Sequence, residues 1–565
     1  MKKHDISLLI VGKGGQGIDA AGQILAKALF RSGWHVFGYA ESENVIQGGL
    51  NTYRLRMSDR PVSAMEKNLD FILALDATTA ASFIADLELT GKCLIDTEDV
   101  TAEDGRIVRL PMAMLAAEAK LNKARNIVGL GALIRLLGLP LEPLETAITE
   151  KYRDKSSEIV SQNIQAARSG HLSVNQEDSA APNEVLRAPD ENSNLITGGT
   201  LGALGAIKAG CKFFAAYPMT PSSSILHTLA SLADEYGISV NHVEDEIAAI
   251  NMAIGAGFAG VRSMTATSGG GYALMTEAIG LAGMIESPVV ILEVQRPGPS
   301  TGLPTRTAQG DLRQVLHAGQ GEFPHVVLAP GTLTQAFEDI FKAFNIAERY
   351  QCPVTVLLDK YLADQQTDVV LPDADLKIDH GKLLAEGSDA QFQRYASGED
   401  GIPIRSLPGQ VKGIHTATSY EHGPDGQPTE DPVTVEAMND RRLAKMTTLS
   451  NALSPISLEG PEDAAYTIIC WGSTYGIAKE IIARHGSLNL LHFRHINPLP
   501  ANTKKVLSSI RNPILLENNA TGQLGGWLRE KFGLQTPNRI LNHSGRPFYV
   551  DELDKRISDI LGETI

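Results

Sequence analysis

Six short apolar runs, at 213–216, 238–243, 263–267, 289–294, 325–329 and 354–358, recur with helical stretches between most of them. Strands that alternate with helices must be joined by crossovers, and crossovers build a parallel sheet with helices on its faces. The middle of the chain is therefore predicted to be α/β. Its functional groups belong on the loops at the carboxyl ends of the strands, where such folds bind ligands.

One of those loops is stiff. The run 213–216 leads into Tyr217-Pro218-Met219-Thr220-Pro221, and a helix follows from Ser222 with apolar residues at Ile225, Leu226 and Leu229. Each proline fixes its own φ and pushes the residue before it towards extended backbone, which holds Tyr217 and Thr220 in place. The loop ends at a helix N-terminus, which favours an anion. A proline-capped helix start accounts for the pentapeptide taken alone equally well.

The run 6–11 is a second buried strand, followed by Gly12-Lys-Gly-Gly-Gln-Gly17 and by Ile18, Ala21, Ile24 and Ala28 at helical spacing. This is G-x-G-x-x-G between strand and helix, with Glu41 at about the distance of a ribose-binding acid. A nicotinamide dehydrogenase built on Gly12, Gly14, Gly15 and Gly17 is thus a competing reading. After Glu41, however, comes the loop Asn44-Val-Ile-Gln-Gly-Gly49, and then an alternating segment, 51–57, that suits an antiparallel strand and not a crossover helix. Phosphate binding, dinucleotide binding and close strand–helix packing all remain open for the glycine loop.

Further strands are predicted at 71–76 and 92–96, with helices in 111–148. Residues 170–194 turn polar and lack periodicity, as a linker does. From 371 to 453 the chain is rich in Gly, Pro, His and charge. It is predicted to be an ordered excursion, because it keeps Phe392, Tyr395 and Tyr420. Strands at 466–470, 488–492 and 513–516 and a helix from Gln523 complete the chain. The boundaries that follow are 1–170, a linker at 171–195, 196–370, an irregular extension at 371–455, and 456–565.

With 565 residues there is material for three or four domains. A net charge of −16 argues against nucleic acid, which needs clustered Lys and Arg. Cys93, Cys211, Cys352 and Cys470 are too far apart for an iron–sulfur or zinc motif, and suit reduced core thiols in a cytoplasmic compartment. No leader or run of about 18 apolar residues is present, so no membrane span is predicted.

The Tyr-Pro-x-Thr-Pro loop, with Glu246 and Arg296 downstream, resembles the α subunit of the 2-oxoacid:ferredoxin oxidoreductases, in the 2-oxoglutarate type that carries a fused γ domain. The resemblance spans nearly the whole chain and is most specific at 217–223, 246–256 and 296–312. It implies a multidomain α/β architecture: a γ-like domain, a thiamine-pyrimidine-binding-type domain with a parallel sheet, and a transketolase-C-terminal-like domain. It also implies that the glycine loop serves coenzyme A, although family members usually have Arg where this chain has Gln47.

The same resemblance gives Glu246 the hydrogen bond to the aminopyrimidine ring of thiamine diphosphate. Glu244 is the fallback, and a helix-start acid is the plain structural alternative. A partly desolvated carboxyl suits a proton shared with a ring nitrogen. Arg296, in Gln295-Arg-Pro-Gly-Pro-Ser-Thr-Gly-Leu-Pro-Thr-Arg306, would hold the 2-oxoacid through charge-assisted hydrogen bonds, together with Tyr217, Thr220 and Thr305. Ser268 and Gly269, in Thr267-Ser-Gly-Gly-Gly-Tyr272, would line the cofactor region. The segments 517–524 and 544–548 are assigned to architecture and subunit contact.

Gly298-Pro-Ser-Thr-Gly302 also matches the hydrolase elbow, with Asp311 and His317 downstream, but Pro299 and Pro304 block an immediate helix. Two things are missing that the family's chemistry requires: a Gly-Asp-Gly metal motif for thiamine diphosphate, and a cysteine cluster for [4Fe–4S]. The resemblance places both, with Mg, in a separate β subunit. The implied enzyme is a heterodimer or dimer of heterodimers. It oxidatively decarboxylates a 2-oxoacid with coenzyme A and reduces ferredoxin, with 2-oxoglutarate favoured over pyruvate. A non-catalytic regulatory subunit is the remaining alternative.

Overall fold

Strand β1 (Asp5–Lys13) is buried along seven of its nine residues, as an unbroken apolar run flanked by helices requires. It sits in an eight-stranded sheet with β2 (His35–Ser42), β3 (Leu50–Ser58), β4 (Leu69–Ala74), β5 (Leu87–Asp96), β6 (Ile107–Leu110), β7 (Ser193–Thr197) and β14 (Gln366–Val370). The order is β6-β5-β4-β1-β3-β2-β14-β7. Strands β1, β4, β5 and β6 run parallel, whereas β3 pairs antiparallel with both β1 and β2. The alternation of residues 51–57 thus marks the strand that separates β1 from β2.

The computed structural model describes residues 4–43, 49–96, 104–175, 192–372, 376–385 and 392–563. Gln47 and most of the segment predicted as a linker lie outside them. The chain divides into two units: Met1–Thr197 with Asp364–Leu371 and Phe548–Ile565, and Gly198–Ala363 with Pro372–Pro547. Strands β7 and β14, at the two ends of the 196–370 stretch, therefore belong to the sheet of the first unit, as does the helix Val550–Leu561 to that unit.

In the first unit the helix Ile18–Arg31 packs closely on the sheet. A Cβ on Gly22 would lie 2.1 Å from the Tyr53 ring, so glycine is what lets the helix come down onto β3. The Tyr53 hydroxyl donates to Gln366 Oε1 at 2.7 Å, which ties β3 to the late strand β14.

The second unit holds two sheets. The larger has the order β17-β12-β13-β11-β10-β8-β9, built from β8 (Phe213–Ala216), β9 (Ser239–His242), β10 (Ser263–Thr267), β11 (Val289–Gln295), β12 (Val326–Leu328), β13 (Pro353–Asp359) and β17 (His495–Asn497). It is parallel apart from the edge strand β17. The smaller, β16-β15-β18-β19, is parallel throughout and comprises β15 (Tyr466–Trp471), β16 (Leu488–Phe493), β18 (Asn512–Glu517) and β19 (Asn538–Leu541). One apolar cluster joins the two sheets, running from Ile250, Tyr272 and Ile291 to Trp471, Leu515 and Trp527. Gln309 latches them: its Nε2 donates to Trp471 O at 2.7 Å, and its Oε1 accepts from Asn518 N at 2.9 Å.

The extension predicted to be irregular contains a 21-residue helix, Pro432–Ala452. Asp431 caps it by accepting from Thr434 N at 2.9 Å. Its buried positions are Met438, Arg442, Lys445 and Leu449. Two of these four are cationic, so an apolar stripe never forms in the sequence. Arg441 and Lys445 instead pair with buried Glu286, and Arg442 with Glu421. Tyr395 is buried in this region, whereas Tyr420 is exposed. The four cysteines are buried and unbridged. No helix among the described residues is long and apolar enough to cross a membrane.

Candidate functional site

The loops that leave β8 and β11 meet in front of β10. Arg296, one residue beyond β11, donates from Nη1 to the backbone carbonyl of Thr220 at 2.6 Å. Within the proline loop, Ser222 Oγ donates to Met219 O at 2.7 Å and closes the turn into the helix Ser223–Ser231. The Thr220–Pro221 peptide is cis. Two of the predicted substrate residues, Thr220 and Arg296, are therefore brought into direct contact.

Glu246 opens the helix Glu246–Phe258. The three successive acids divide their tasks: Glu244 is exposed, Asp245 caps the helix by accepting from Ala248 N at 2.7 Å, and Glu246 turns inward. Glu246 is 4% exposed, and its buried Oε1 has no hydrogen-bond partner. A Cβ on Gly271, in the facing helix Gly269–Met284, would lie 2.5 Å from that oxygen and 2.1 Å from Thr267 Oγ1. Glycine at 271 thus allows Glu246 and Thr267 to share one small volume. Thr267 Oγ1 in turn lies 3.9 Å from the sulfur of Met219, which places the proline loop in the same corner.

Ser268 caps the helix Gly269–Met284 in position only: its buried hydroxyl makes no hydrogen bond. Gly269, Gly270, Met219 and Arg296 line a cavity of about 800 Å³. Asn518, Asn519, Gln523 and Gly545 also line it, so the segments assigned to architecture supply cavity wall as well. Tyr217, Thr220 and Thr305 are not among the residues that line it. Tyr217 is partly exposed and meets His242 edge to face, with ring centroids 6.4 Å apart.

Asp311 lines the cavity too, and behind it stands Glu293. Glu293 interrupts the apolar run Val289-Val-Ile-Leu-Glu-Val294; that interruption was the available signal, and the sequence reading passes over it. It is fully buried, and neither oxygen receives a hydrogen bond from a donor group. Burial, and then the neighbouring Asp311 carboxyl, hold Glu293 well above the ordinary carboxylate range, which favours its protonated form, a donor to Asp311. Burial also raises Asp311, to about 6, against the hydrogen bond from Glu293 and the charge of Arg296. On the next strand, burial raises Asp359 to about 6, and the Ser473 hydroxyl donates to it.

The hydrolase arrangement does not form. Gly302 has φ +52, and a Cβ there would lie 1.8 Å from Pro297 O, so 298–302 is a tight turn and not a strand-to-helix elbow. His317 packs against Trp527 with centroids 6.2 Å apart and does not line the cavity with Ser300 and Asp311.

In the first unit, Gly17 takes left-handed φ 73 at the cap of the helix Ile18–Arg31, and no side chain caps that end. Lys13 N donates to Gln16 Oε1 at 2.7 Å, Gly14 N to Gly49 O at 2.9 Å, and Asn126 Nδ2 to Gly17 O at 3.2 Å. Lys13 Nζ pairs with Asp76 at 2.8 Å. Gly14, Gly15 and Gly17 are exposed, while Gly12 is buried. Glu41 is buried as well, which is unsuited to a ribose hydroxyl arriving from solvent. Among the described residues, no group of three or more His, Cys, Asp and Glu side chains could hold a metal ion.

The family model described as pyruvate flavodoxin/ferredoxin oxidoreductase, thiamine diphosphate-binding, matches residues 204–440. The model described as pyruvate ferredoxin/flavodoxin oxidoreductase matches 7–172. The α subunit of 2-oxoacid:ferredoxin oxidoreductase 2 from Aeropyrum pernix is 32% identical over 99% of this chain and 98% of its own length. The chain belongs to the 2-oxoacid:ferredoxin oxidoreductase family. The 2-oxoglutarate oxidoreductase subunit KorA of Mycobacterium tuberculosis is 30% identical over 90% of this chain and 83% of its own. Among solved structures, the 2-oxoglutarate:ferredoxin oxidoreductase of Magnetococcus marinus, with 2-oxoglutarate, coenzyme A and succinyl-CoA bound, matches with a TM-score of 0.92. It is 30% identical, covering 99% of this chain and 100% of that one. As a 2-oxoacid:ferredoxin oxidoreductase, the chain is an oxidoreductase subunit. Its glycine loop falls inside the family match at 7–172, and the nicotinamide dehydrogenase reading is set aside.

Proposed function

We propose that this chain is the α subunit, with a γ domain fused ahead of it, of an enzyme that converts a 2-oxoacid and coenzyme A to acyl-CoA and CO2 while reducing ferredoxin. The substrate we favour is 2-oxoglutarate, on which the M. tuberculosis and M. marinus relatives act by name. One observation carries the reading: the buried, unpartnered Oε1 of Glu246, held open by Gly271. An orphaned buried carboxyl oxygen is costly, and a ligand nitrogen presented to it removes that cost.

The residues present fit the aminopyrimidine of thiamine diphosphate. When bound, that cofactor supplies the carbanion chemistry that lets a 2-oxoacid lose CO2. Glu246 holds or shares a proton with the ring nitrogen, and Ser268 and Gly269 border the same corner. Arg296, steadied by the Thr220 carbonyl, receives the substrate carboxylate, and the Thr220 hydroxyl, Tyr217 and Thr305 complete the substrate contacts. Gly12, Gly14, Gly15 and Gly17 serve coenzyme A through the uncapped N–H groups of the helix behind them.

Magnesium and the [4Fe–4S] cluster belong in this proposal to a β subunit. The active enzyme is a heterodimer or a dimer of heterodimers, and it works in the cytoplasm with ferredoxin as partner. The test is co-purification with the cognate β subunit and assay of ferredoxin reduction with a panel of 2-oxoacids. Coenzyme A-dependent reduction with 2-oxoglutarate is the result expected. No reduction with any 2-oxoacid would overturn the assignment.

A further inference from the structure

The cavity beside Arg296 contains a conflict of charge. Among its described walls Arg296 is the one guanidinium and Asp311 the one carboxylate. Glu293 lies behind Asp311, with no donor on either oxygen. Asp311 is also confined from the other side, since a Cβ on Gly269 would sit 2.4 Å from its Oδ2. Its loop is anchored by backbone, with Asp311 N donating to Gln295 Oε1 at 3.1 Å, so the carboxyl is not needed to hold the turn. Arg296 directs its hydrogen bond to Thr220.

A carboxylate arriving at Arg296 would find an anionic Asp311 close by in a partly desolvated site, and their repulsion would offset much of what the guanidinium offers. We infer that the anionic substrate is taken up together with a proton: as a carboxylate settles on Arg296, Asp311 is protonated, and the Glu293–Asp311 pair becomes wholly neutral. This inference rests on the proposed role of Arg296.

The exchange is simple to balance. Glu293 keeps the proton it already shares with Asp311. The added proton comes from solvent through the open cavity to the other Asp311 oxygen, one O–H bond forms there, and no electrons move. Asp311, raised to about 6 by burial, exchanges that proton close to neutral pH. The other titratable groups nearby are Asp359 on β13, Tyr272 on the helix Gly269–Met284, and His543 in the cavity wall. Asp359 is 2% exposed and does not line the cavity, and burial keeps Tyr272 neutral. Asp311 and Glu293 are therefore positioning residues that set the charge Arg296 works against.

The experiment uses the chain assembled with its β subunit and follows kcat/KM for 2-oxoglutarate against pH. In the wild type, kcat/KM should fall about tenfold per pH unit above a midpoint near 6. Asp311→Asn should abolish that slope, whereas Glu293→Gln, whose amide remains a neutral donor, should keep it. Infrared difference spectra on adding 2-oxoglutarate without coenzyme A or ferredoxin should show a newly protonated carboxyl in the wild type and none in Asp311→Asn. A flat wild-type profile, an unchanged slope in Asp311→Asn, or no carboxyl signal would each overturn the inference. Should Asp311→Asn not fold, the wild-type infrared signal decides alone. Arg296→Lys separates the two levels: wild-type kcat/KM in that variant sinks the Arg296 reading itself, while an impaired Arg296→Lys beside an unchanged slope in Asp311→Asn sinks only the proton coupling.

Discussion

Arg296 is fastened to Thr220 through the threonine's backbone carbonyl, at 2.6 Å, and not through its hydroxyl. The two side chains can therefore be removed separately. Thr220→Ala leaves the guanidinium anchored and deletes only the hydroxyl, whereas Arg296→Ala removes the charge. We expect Arg296→Ala to lower kcat/KM by about 10- to 100-fold, the scale of one charge-assisted hydrogen bond, and Thr220→Ala to cost less. Steady-state kinetics on the assembled enzyme measure both, and an equal or larger loss in Thr220→Ala would refute the ordering.

The notch at Gly271 gives a second test. Alanine there would drive a methyl group into Glu246 Oε1 and Thr267 Oγ1. The strain should destabilise the chain by about 1–3 kcal/mol and displace the Glu246 carboxyl. Calorimetric titration of the assembled enzyme with thiamine diphosphate should show weakened binding, with a modest drop in melting temperature. Unchanged affinity would separate Glu246 from the cofactor.

The helix Pro432–Ala452 is held by ions. Burial alone would raise the Glu286 carboxyl, but Lys445 and Arg441 more than reverse this and hold it well below the usual range. Glu286→Ala strands Lys445, which is fully buried, and should cost about 3–5 kcal/mol in denaturant unfolding. A folded-state value below the unfolded one means that this stability is present above the unfolded pKa and is lost as pH falls through the folded one. Acid sensitivity should thus lessen in Glu286→Ala.

Burial lowers His325 to about 4 and His492 to about 3. Each stays neutral when folded and takes a proton when unfolded. Their contribution is complete above about 6.5 and is lost as pH falls towards the folded values. The slope should approach about 1.4 kcal/mol per pH unit for each histidine. Unfolding of wild type and His325→Gln between pH 7 and 4, at about half-unit steps, should show a shallower decline in the variant.

Much of this fold is legible locally. The strand predictions at 213–216 and 263–267 coincide with β8 and β10 because each short run ends abruptly at turn-forming residues. Where tertiary partners decide, the sequence is silent. Gln366-Thr-Asp-Val-Val370 forms β14 only because Gly38 and Thr197 stand on either side of it in register. At the site, the proline loop and Arg296 announce themselves, since stiff turns and isolated guanidinium groups are local features. The carboxyl pair does not: Glu293 stands in a strand whose neighbours all read as core, and its meaning depends on an aspartate eighteen residues later.

The first unit is assembled from three separate stretches of chain, and the helix Val550–Leu561 supplies its last piece. Val550 N bonds Met65 O at 2.9 Å, and Asp551 accepts from Lys67 N at 2.9 Å. Synthesis of the first unit therefore starts with its sheet strands and is complete only once this helix has followed the residues of the second unit. The Met65–Lys67 backbone thus waits for these partners until residues 372–547 of the second unit have been synthesised.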